Sequence, residues 1–195
     1  MVVNTLYLDS GVLKSIKKTY SKQYPKNIRL EKFFQPSIFA LLYRKICSAN
    51  FSLKFNPYKY KYSITKIKEI NSFLNGKYFS DLIKNVLDIK SSEIKYEIRK
   101  FVAGNYTLLH DAEKEKPGID FVLDFSASKD NYGGYIVYLT ESEELLQLNP
   151  FPNCLSFIKR EKKVMKYTKY VQDRQKHLIV QVVGTIFNLR ELSAT

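Results

Sequence analysis

The sequence predicts a single domain of the α+β class, in which N-terminal helices pack on a C-terminal jelly-roll of short strands. Apolar residues recur at helical spacing over about the first 90 positions, and short β-prone runs bounded by turns follow to about residue 190. Hydrophobic residues make up 45% of the 195 residues and aromatic residues 14%, which is enough for one buried core. No repeat or Gly/Ser/Pro-rich linker divides the chain. We therefore expect residues 1–195 to form one unit, with a mainly helical lead-in and a jelly-roll core.

Four helices are expected in the lead-in. The apolar positions from Leu13 to Tyr20 share one helical face, and this helix should end before Pro25 because the residue preceding a proline avoids the helical region. Residues 36–48 repeat the helical spacing, with Pro36 at the tolerated first position. Two further helices are expected around residues 66–75 and 78–88.

The strands are predicted from alternating or continuous β-prone runs. Residues 51–62 alternate, so that Tyr58, Tyr60 and Tyr62 share one face of an extended segment. The remaining runs are at residues 93–102, 106–110, 119–125, 135–139, 155–158, 167–172 and 177–187. The acidic run at 141–144 is interpreted as a solvated turn. Short strands at this spacing indicate a sandwich or a small barrel.

The positive charge is concentrated in the first half of the chain. The formal net charge is +13, and all of the excess lies in residues 1–100, where 20 Lys and Arg face 7 Asp and Glu. Residues 101–195 hold 12 of each. Such an asymmetry attracts nucleic acid, an anionic surface or an acidic partner, or it serves only to keep the protein soluble.

Cysteine usage and hydropathy limit the possible classes of protein. Cys47 and Cys154 belong to no CxxC motif and to no cluster with zinc spacing, so we expect two buried thiols. The first residues do not combine a charged segment with a long apolar core, and no apolar run approaches the ~20 residues of a membrane helix. We therefore expect a cytoplasmic protein without a membrane partner.

Three motifs in the second half follow one another in the chain. Residues 101–112 read FVAGNYTLLHDA, residues 130–139 read DNYGGYIVYL and residues 152–157 read PNCLSF. In order and spacing they resemble three motifs of prolyl-hydroxylase-type oxygenases that depend on 2-oxoglutarate and Fe(II): the strand with two iron ligands, the Gly-Gly strand and the Pro-x-Asn strand. The resemblance implies a double-stranded β-helix, the cupin-like form of jelly-roll, with a degenerate iron site.

In this family, two histidines and one carboxylate hold the iron. The resemblance implies that some of these ligand residues are replaced in this sequence. It places the first histidine at His110, but Ala112 stands where the carboxylate is expected. Asp111 points to the opposite face of an extended strand, and only a bulge would turn it toward His110. Counting back from Val171 places the second histidine at Lys166, whose ammonium has no lone pair for a metal.

The resemblance also implies an altered site for 2-oxoglutarate. It places the cation that grips the cosubstrate at Lys176, ten residues beyond Lys166, and a lysine binds carboxylates as a point charge. Phe101 stands in place of a tyrosine that contacts the cosubstrate, whereas Tyr106 is retained. His177, the only other histidine, is interpreted as an ordinary residue near a strand start. Fe(II) and 2-oxoglutarate are thus possible cofactors, but we expect neither to bind tightly.

Three functions follow from these observations. The favoured one is a non-catalytic protein whose jelly-roll groove binds a protein, a peptide or a small anion. The first alternative is an active, atypical dioxygenase that hydroxylates a protein residue such as proline, with His110, Asp111 and Lys176 in the site. The second alternative is a nucleic-acid-binding domain, in which tyrosines stack on bases and lysines neutralise phosphates. Its residues would be Tyr58, Lys59, Tyr60, Lys61 and Tyr62; otherwise these tyrosines pack on the helices.

Overall fold

Two antiparallel sheets face each other, and helices cover the outer face of the larger one. A computed structural model describes residues 3–90, 92–109, 116–128 and 132–188 of the chain. The helices come from the first half and most of the strands from the second half. This arrangement confirms the predicted α+β class.

Four α-helices lie in the first half, as the apolar spacing predicts. The first is capped by Asp9, whose carboxylate accepts a hydrogen bond from the Val12 amide at 2.8 Å. The second begins at Pro36, where a missing amide hydrogen has no helical partner to lose. The bounds are α1 Ser10–Lys22, α2 Pro36–Cys47, α3 Lys68–Leu74 and α4 Lys77–Leu87, and a 3₁₀ helix at Thr5–Leu8 precedes them.

Eleven strands build the two sheets among the described residues. Their bounds are β1 Asn27–Glu31, β2 Ser52–Asn56, β3 Tyr60–Thr65, β4 Ser92–Phe101, β5 Tyr106–Thr107, β6 Gly118–Asp124, β7 Ile136–Leu139, β8 Glu144–Leu148, β9 Cys154–Arg160, β10 Met165–Thr168 and β11 Ile179–Asn188. The larger sheet has the order β1-β9-β6-β11-β4-β3-β2, with β5 paired to β3 beside this path. The smaller sheet has the order β10-β7-β8.

Alternation along β6, β9 and β11 separates two cores. The outer face packs on the helices; for example, the Phe79 ring of α4 lies 5.6 Å from that of Phe121 and 6.3 Å from that of Phe157, centroid to centroid. The inner face packs on the smaller sheet through Val122, Ile136, Tyr138, Leu148, Ile158 and Val183. Because β11 is covered on both sides, its residues 179–186 are all buried.

Glycines 133 and 134 allow two segments of backbone to approach closely. Gly133 has φ +100°, and a Cβ at this residue would lie 2.0 Å from the carbonyl oxygen of Tyr170. The Gly134 amide donates to the carbonyl of Lys169 at 2.9 Å. The Gly-Gly motif therefore brings the chain before β7 onto the chain after β10.

The first half is less helical than predicted. The strands β1, β2 and β3 all join the larger sheet. Strand β1 was not expected, and it forms because antiparallel pairing with β9 satisfies its backbone. Strand β8 begins at Glu144, within the run interpreted as a solvated turn, and pairs with β7.

Four further differences concern three strand bounds and a cysteine. Strand β10 ends at residue 168 instead of 172, because Val171 leaves the sheet and exchanges backbone hydrogen bonds with Gly104 and Asn105 at 2.8 and 2.9 Å. Strand β5 ends at residue 107, and β11 begins at residue 179. Cys154 is buried as predicted, but Cys47 is exposed because it lies at the solvent side of the last turn of α2.

Within the described ranges, no helix combines the length and hydropathy that spanning a membrane requires.

Candidate functional site

The strand that leads to His110 lies beside the strand with Lys166. The Thr168 amide of β10 donates to the hydroxyl of Thr107 in β5 at 2.6 Å, and the Leu108 amide donates to the carbonyl of Lys59 at 2.7 Å. His110 and Asp111 themselves lie outside the described residues. Their assignment as iron ligands stays a prediction.

Lys166 is part of an ionic cluster between the two sheets. Its Nζ donates to Asp120 Oδ2 at 2.9 Å, and Arg160 Nε donates to the same oxygen at 3.1 Å. The other carboxylate oxygen, Oδ1, accepts from the Thr185 hydroxyl at 2.7 Å. The side chains of Asp120 and Arg160 are 0% and 1% exposed, and that of Lys166 is 13% exposed. Four strands, β6, β9, β10 and β11, therefore converge on one buried carboxylate.

The cations of this cluster keep Asp120 ionised. Burial alone would raise the pKa of Asp120, but coulombic attraction to Lys166 and Arg160 outweighs it and holds the pKa below its ordinary value. Hydrogen bonds from Lys166 and Thr185 act in the same direction. The cluster thus holds a carboxylate in contact with two cations away from water.

The described residues do not fit an iron centre with two histidines and one carboxylate. Lys166 presents an ammonium where the resemblance places an imidazole, and an ammonium offers a metal no lone pair. His177 is exposed and lies in the loop before β11. Within the described ranges, no group of three or more His, Cys, Asp and Glu side chains is placed to share a metal ion.

A second buried carboxylate, Asp124, lies on the same face of β6. It accepts hydrogen bonds from the Ser126 amide at 2.7 Å and from Gln181 Nε2 at 2.9 Å. Burial raises the pKa of Asp124, and these hydrogen bonds offset the rise only in part. Burial likewise raises the pKa of the neighbouring Cys154 thiol to about 12. The inner face of β6 therefore holds two carboxylates in opposite electrostatic environments.

The residues predicted to contact 2-oxoglutarate lie in different surroundings. Phe101 is fully buried and packs with Tyr62, Val171 and Ile179 in an apolar cluster. The Tyr106 hydroxyl donates to the carbonyl of Pro57 at 3.1 Å. Lys176 is exposed in the loop before β11. The described structure thus places Phe101 in the interior and Lys176 at the surface, and their roles stay predictions.

The tyrosines of the predicted nucleic-acid site differ in exposure. Tyr58 is 82% exposed, Tyr60 is half-buried and Tyr62 is 2% exposed. The Tyr62 hydroxyl donates to Glu97 at 3.0 Å, and the Arg99 guanidinium lies 4.7 Å from the Tyr62 ring centroid. Burial would raise the pKa of Glu97, but Arg99 and a hydrogen bond from Lys54 bring it down to about 2. Tyr62 therefore offers no free face to a base, and this part of the prediction is wrong.

Asp120 and Arg160 were not identified from the sequence. The available indication is the placement of charged residues inside apolar strands, as in the run GIDFVLD of β6 and CLSFIKR of β9. A charged residue at an inward position of such a strand requires an oppositely charged partner. Nothing in the local sequence identifies that partner, which lies 40 or 46 residues away.

A protein-family model matches residues 54–186 of the chain, and its description is "Oxoglutarate and iron-dependent oxygenase degradation C-term". Two relatives are similar in sequence over shorter segments. The chain is 33% identical to prolyl 3-hydroxylase OGFOD1 of Mus musculus over 82 residues, and this aligned segment covers 40% of the chain and 15% of that protein. It is 33% identical to prolyl 3-hydroxylase OGFOD1 of Xenopus laevis over 95 residues, which are 45% of the chain and 18% of that protein. The matches thus span less than a fifth of these relatives.

Solved structures of prolyl hydroxylases and related oxygenases share the fold. A prolyl hydroxylase of Trichoplax adhaerens, in complex with a peptide fragment of the hypoxia inducible factor oxygen degradation domain, superposes with a TM-score of 0.68 at 12% identity, over 98% of this chain and 97% of that chain. A 2OG-Fe(II) oxygenase family protein of Burkholderia pseudomallei superposes with a TM-score of 0.67 at 8% identity, over 90% of this chain and 91% of that chain. These matches confirm the predicted double-stranded β-helix.

Proposed function

The chain belongs to the family described as "Oxoglutarate and iron-dependent oxygenase degradation C-term", and within it we propose that the chain is a non-catalytic protein that binds a protein or peptide partner. One observation carries the proposal. At the position that the resemblance assigns to the second histidine ligand, Lys166 forms a buried ion pair with Asp120.

The ion pair opposes metal binding in two ways. A lysine ammonium has no lone pair, so the position supplies no ligand while Lys166 stays charged. Withdrawing that charge would also leave the buried Asp120 with one cation fewer, which costs several kcal/mol for a carboxylate in the interior. Retention of a labile metal such as Fe(II) depends on ligand number and geometry, so a site without this histidine binds it weakly.

Partner binding is the function that the remaining structure supports. The described strands form two facing sheets, and the buried carboxylates Asp120 and Asp124 between them are held by ion pairs and hydrogen bonds that stabilise the fold. A structural neighbour, the Trichoplax adhaerens prolyl hydroxylase, holds a peptide, so this fold is compatible with peptide recognition.

Calorimetry with metal-free protein tests the proposal. Mn²⁺, as a redox-inert substitute for Fe(II), is titrated with and without 2-oxoglutarate into the wild type, His110→Ala and Lys166→His. The matched control is His177→Ala, which removes the exposed histidine. We expect the wild type and His110→Ala to give the same heat of Mn²⁺ addition, both without and with 2-oxoglutarate.

The opposite result identifies an enzyme. Micromolar Mn²⁺ binding that is lost in His110→Ala, kept in His177→Ala and tightened by 2-oxoglutarate would overturn the proposal in favour of an atypical dioxygenase. In that case, succinate release with candidate peptide substrates becomes the next measurement.

A further inference from the structure

Strand β2 forms an open edge of the larger sheet. It is the last strand in the sheet order and pairs with β3 on one side only; no other described strand reaches its second side. An unpaired edge presents a row of backbone donors and acceptors that can take up another strand. The backbone of Ser52–Asn56 is thus available for pairing with an extended segment.

The side chains of this edge strand do not protect it. Leu53 and Phe55 lie on the same face of β2 and are 63% and 56% exposed. Natural edge strands are usually blocked by charges, proline or a bulge. The one charged residue of β2, Lys54, points to the opposite face, where its ammonium contacts Glu97. The exposed face of β2 is therefore an apolar strip beside an open backbone edge.

The chain segment that contains the edge is basic, and the nearby carboxylate of Glu97 is paired with Lys54 and Arg99. From residue 32 to residue 68 the sequence contains no Asp or Glu, and the hairpin and its continuation contribute Lys54, Lys59, Lys61, Lys66 and Lys68. The next acidic residue, Glu69, is paired with Lys45. A segment attracted to this edge needs carboxylates as well as apolar side chains.

A groove adjoins the first residue of the strand. It has a volume of about 770 Å³ and lies between β2, β4 and α3. Lys66, Lys68 and Glu97 line it, together with polar side chains of Asn50, Ser52, Thr65 and Asn71, and Glu97 is itself paired with Lys54 and Arg99. The groove thus presents the two lysines Lys66 and Lys68 beside one carboxylate that already has partners, at the end of an apolar, open edge.

We propose that an acidic extended peptide segment of a partner protein adds to the outer edge of β2. Its backbone pairs with Ser52–Asn56, its apolar side chains cover Leu53 and Phe55, and its carboxylates face the lysines of the hairpin and of the groove. This is the strand-addition mode of peptide recognition. The inference deepens the proposed binding function, on which it rests, by naming the class of partner and the place where it binds.

The probe is a fluorescein-labelled ten-residue peptide of alternating valine and glutamate, and its binding is followed by fluorescence anisotropy in the presence of a chelator. We expect saturable binding that weakens with added salt. The double variant Leu53→Ser/Phe55→Ser should bind about tenfold more weakly, as should Lys66→Glu/Lys68→Glu. The matched control is Leu8→Ser/Leu41→Ser, which removes two exposed leucines elsewhere and should change affinity less than about twofold.

Absence of binding up to millimolar peptide would overturn the inference, as would an unchanged affinity in Leu53→Ser/Phe55→Ser. So would equal binding of a peptide in which prolines replace two valines, because proline cannot donate a backbone hydrogen bond. Displacement of the peptide by a single-stranded oligonucleotide whose own binding depends on the same residues would assign the edge to nucleic acid instead. A dimer of this chain that Leu53→Ser/Phe55→Ser dissociates would instead assign the edge to a second copy. Because the chelator removes metal ions, His110-dependent Mn²⁺ binding in the calorimetric test would refute the non-catalytic proposal without altering the result of the peptide experiment.

Discussion

Asp120 and Asp124 lie four residues apart on the inner face of β6, yet their environments are opposite. Asp120 contacts Lys166 and Arg160, so its pKa is lowered. Asp124 accepts hydrogen bonds only from neutral groups in the described structure, so burial raises its pKa. Two substitutions of similar shape therefore separate the two effects.

We expect Asp120→Asn to destabilise the protein by about 3 kcal/mol, because breaking a buried pair leaves cations in the interior without their carboxylate. The free energy of unfolding in urea at neutral pH measures the loss. Asp173→Asn, in an exposed loop, is the control and should stay within about 0.5 kcal/mol of the wild type. A loss below about 1 kcal/mol for Asp120→Asn would show that the cluster does not depend on this carboxylate.

We expect Asp124→Asn to gain stability relative to the wild type as pH rises. Because burial raises the folded-state pKa of Asp124, its contribution to stability is fully present below the unfolded value of about 3.9 and is lost as pH rises through the folded pKa. The asparagine amide does not ionise, and its Nδ2 can donate to Gln181 Oε1, which has no partner in the described structure. Urea unfolding of both proteins from about pH 4 to about pH 7 measures the difference. A difference that is independent of pH would contradict the raised pKa.

The contribution of Asp120 to stability has the opposite pH dependence. Its folded-state pKa is lowered, so its contribution to stability is present above the unfolded value and is lost as pH falls through the folded pKa. The stability difference between the wild type and Asp120→Asn should accordingly shrink in acid, whereas that for Asp124→Asn grows toward neutral pH.

At the scale of elements, strands with a strong apolar pattern were predictable and strands formed by pairing were not. Strand β11 reads as a continuous apolar run, and β6 as a run interrupted by two aspartates. Strand β8 includes an acidic residue at its start, and its identity as a strand depends on pairing with β7. Local sequence reports propensity, but partners distant in the chain decide such cases.

The candidate site shows the same division. The motif predicts that Lys166 stands at a histidine position, and such a prediction is possible because spacing along one strand is local. The ion pair of Lys166 with Asp120 joins residues 46 apart in the chain and follows only from the way β6 and β10 face each other. The sequence therefore predicts the lost ligand, and the structure shows the ion pair that Lys166 forms.

We expect Gly184→Ala to destabilise the central strand β11 by about 2 kcal/mol through overpacking. A Cβ at this residue would lie 2.4 Å from the Phe121 ring and 2.6 Å from the carbonyl oxygen of Lys95, and neither can move easily. Gly11→Ala in the first turn of α1 is the control: its Cβ would lie 3.1 Å from one oxygen of the exposed Asp9 side chain, which can move, so the change in stability should stay within about 0.5 kcal/mol. Thermal unfolding measures both. Equal melting temperatures for Gly184→Ala and the wild type would contradict this packing.

At the scale of the molecule, the two halves of the chain share one sheet. Strand β1 pairs with β9, and β3 pairs with β4, so the larger sheet combines strands from before and after residue 90. The helices of the first half cover outward residues of the second half that are wholly buried, such as Phe121 and Phe157. The same half also contributes the net positive charge and the open edge at β2.

We therefore expect residues 92–195 to lack a cooperative fold on their own, because their sheet would expose a large apolar face to water. Mixing this fragment with residues 1–90 should restore a cooperative urea transition and dispersed amide resonances. The control is the intact chain cleaved after Lys90 once folded, which should keep its structure because the contacts between the halves are non-covalent. If residues 92–195 alone unfold cooperatively, the two halves are independent units, and the prediction of a single domain is wrong.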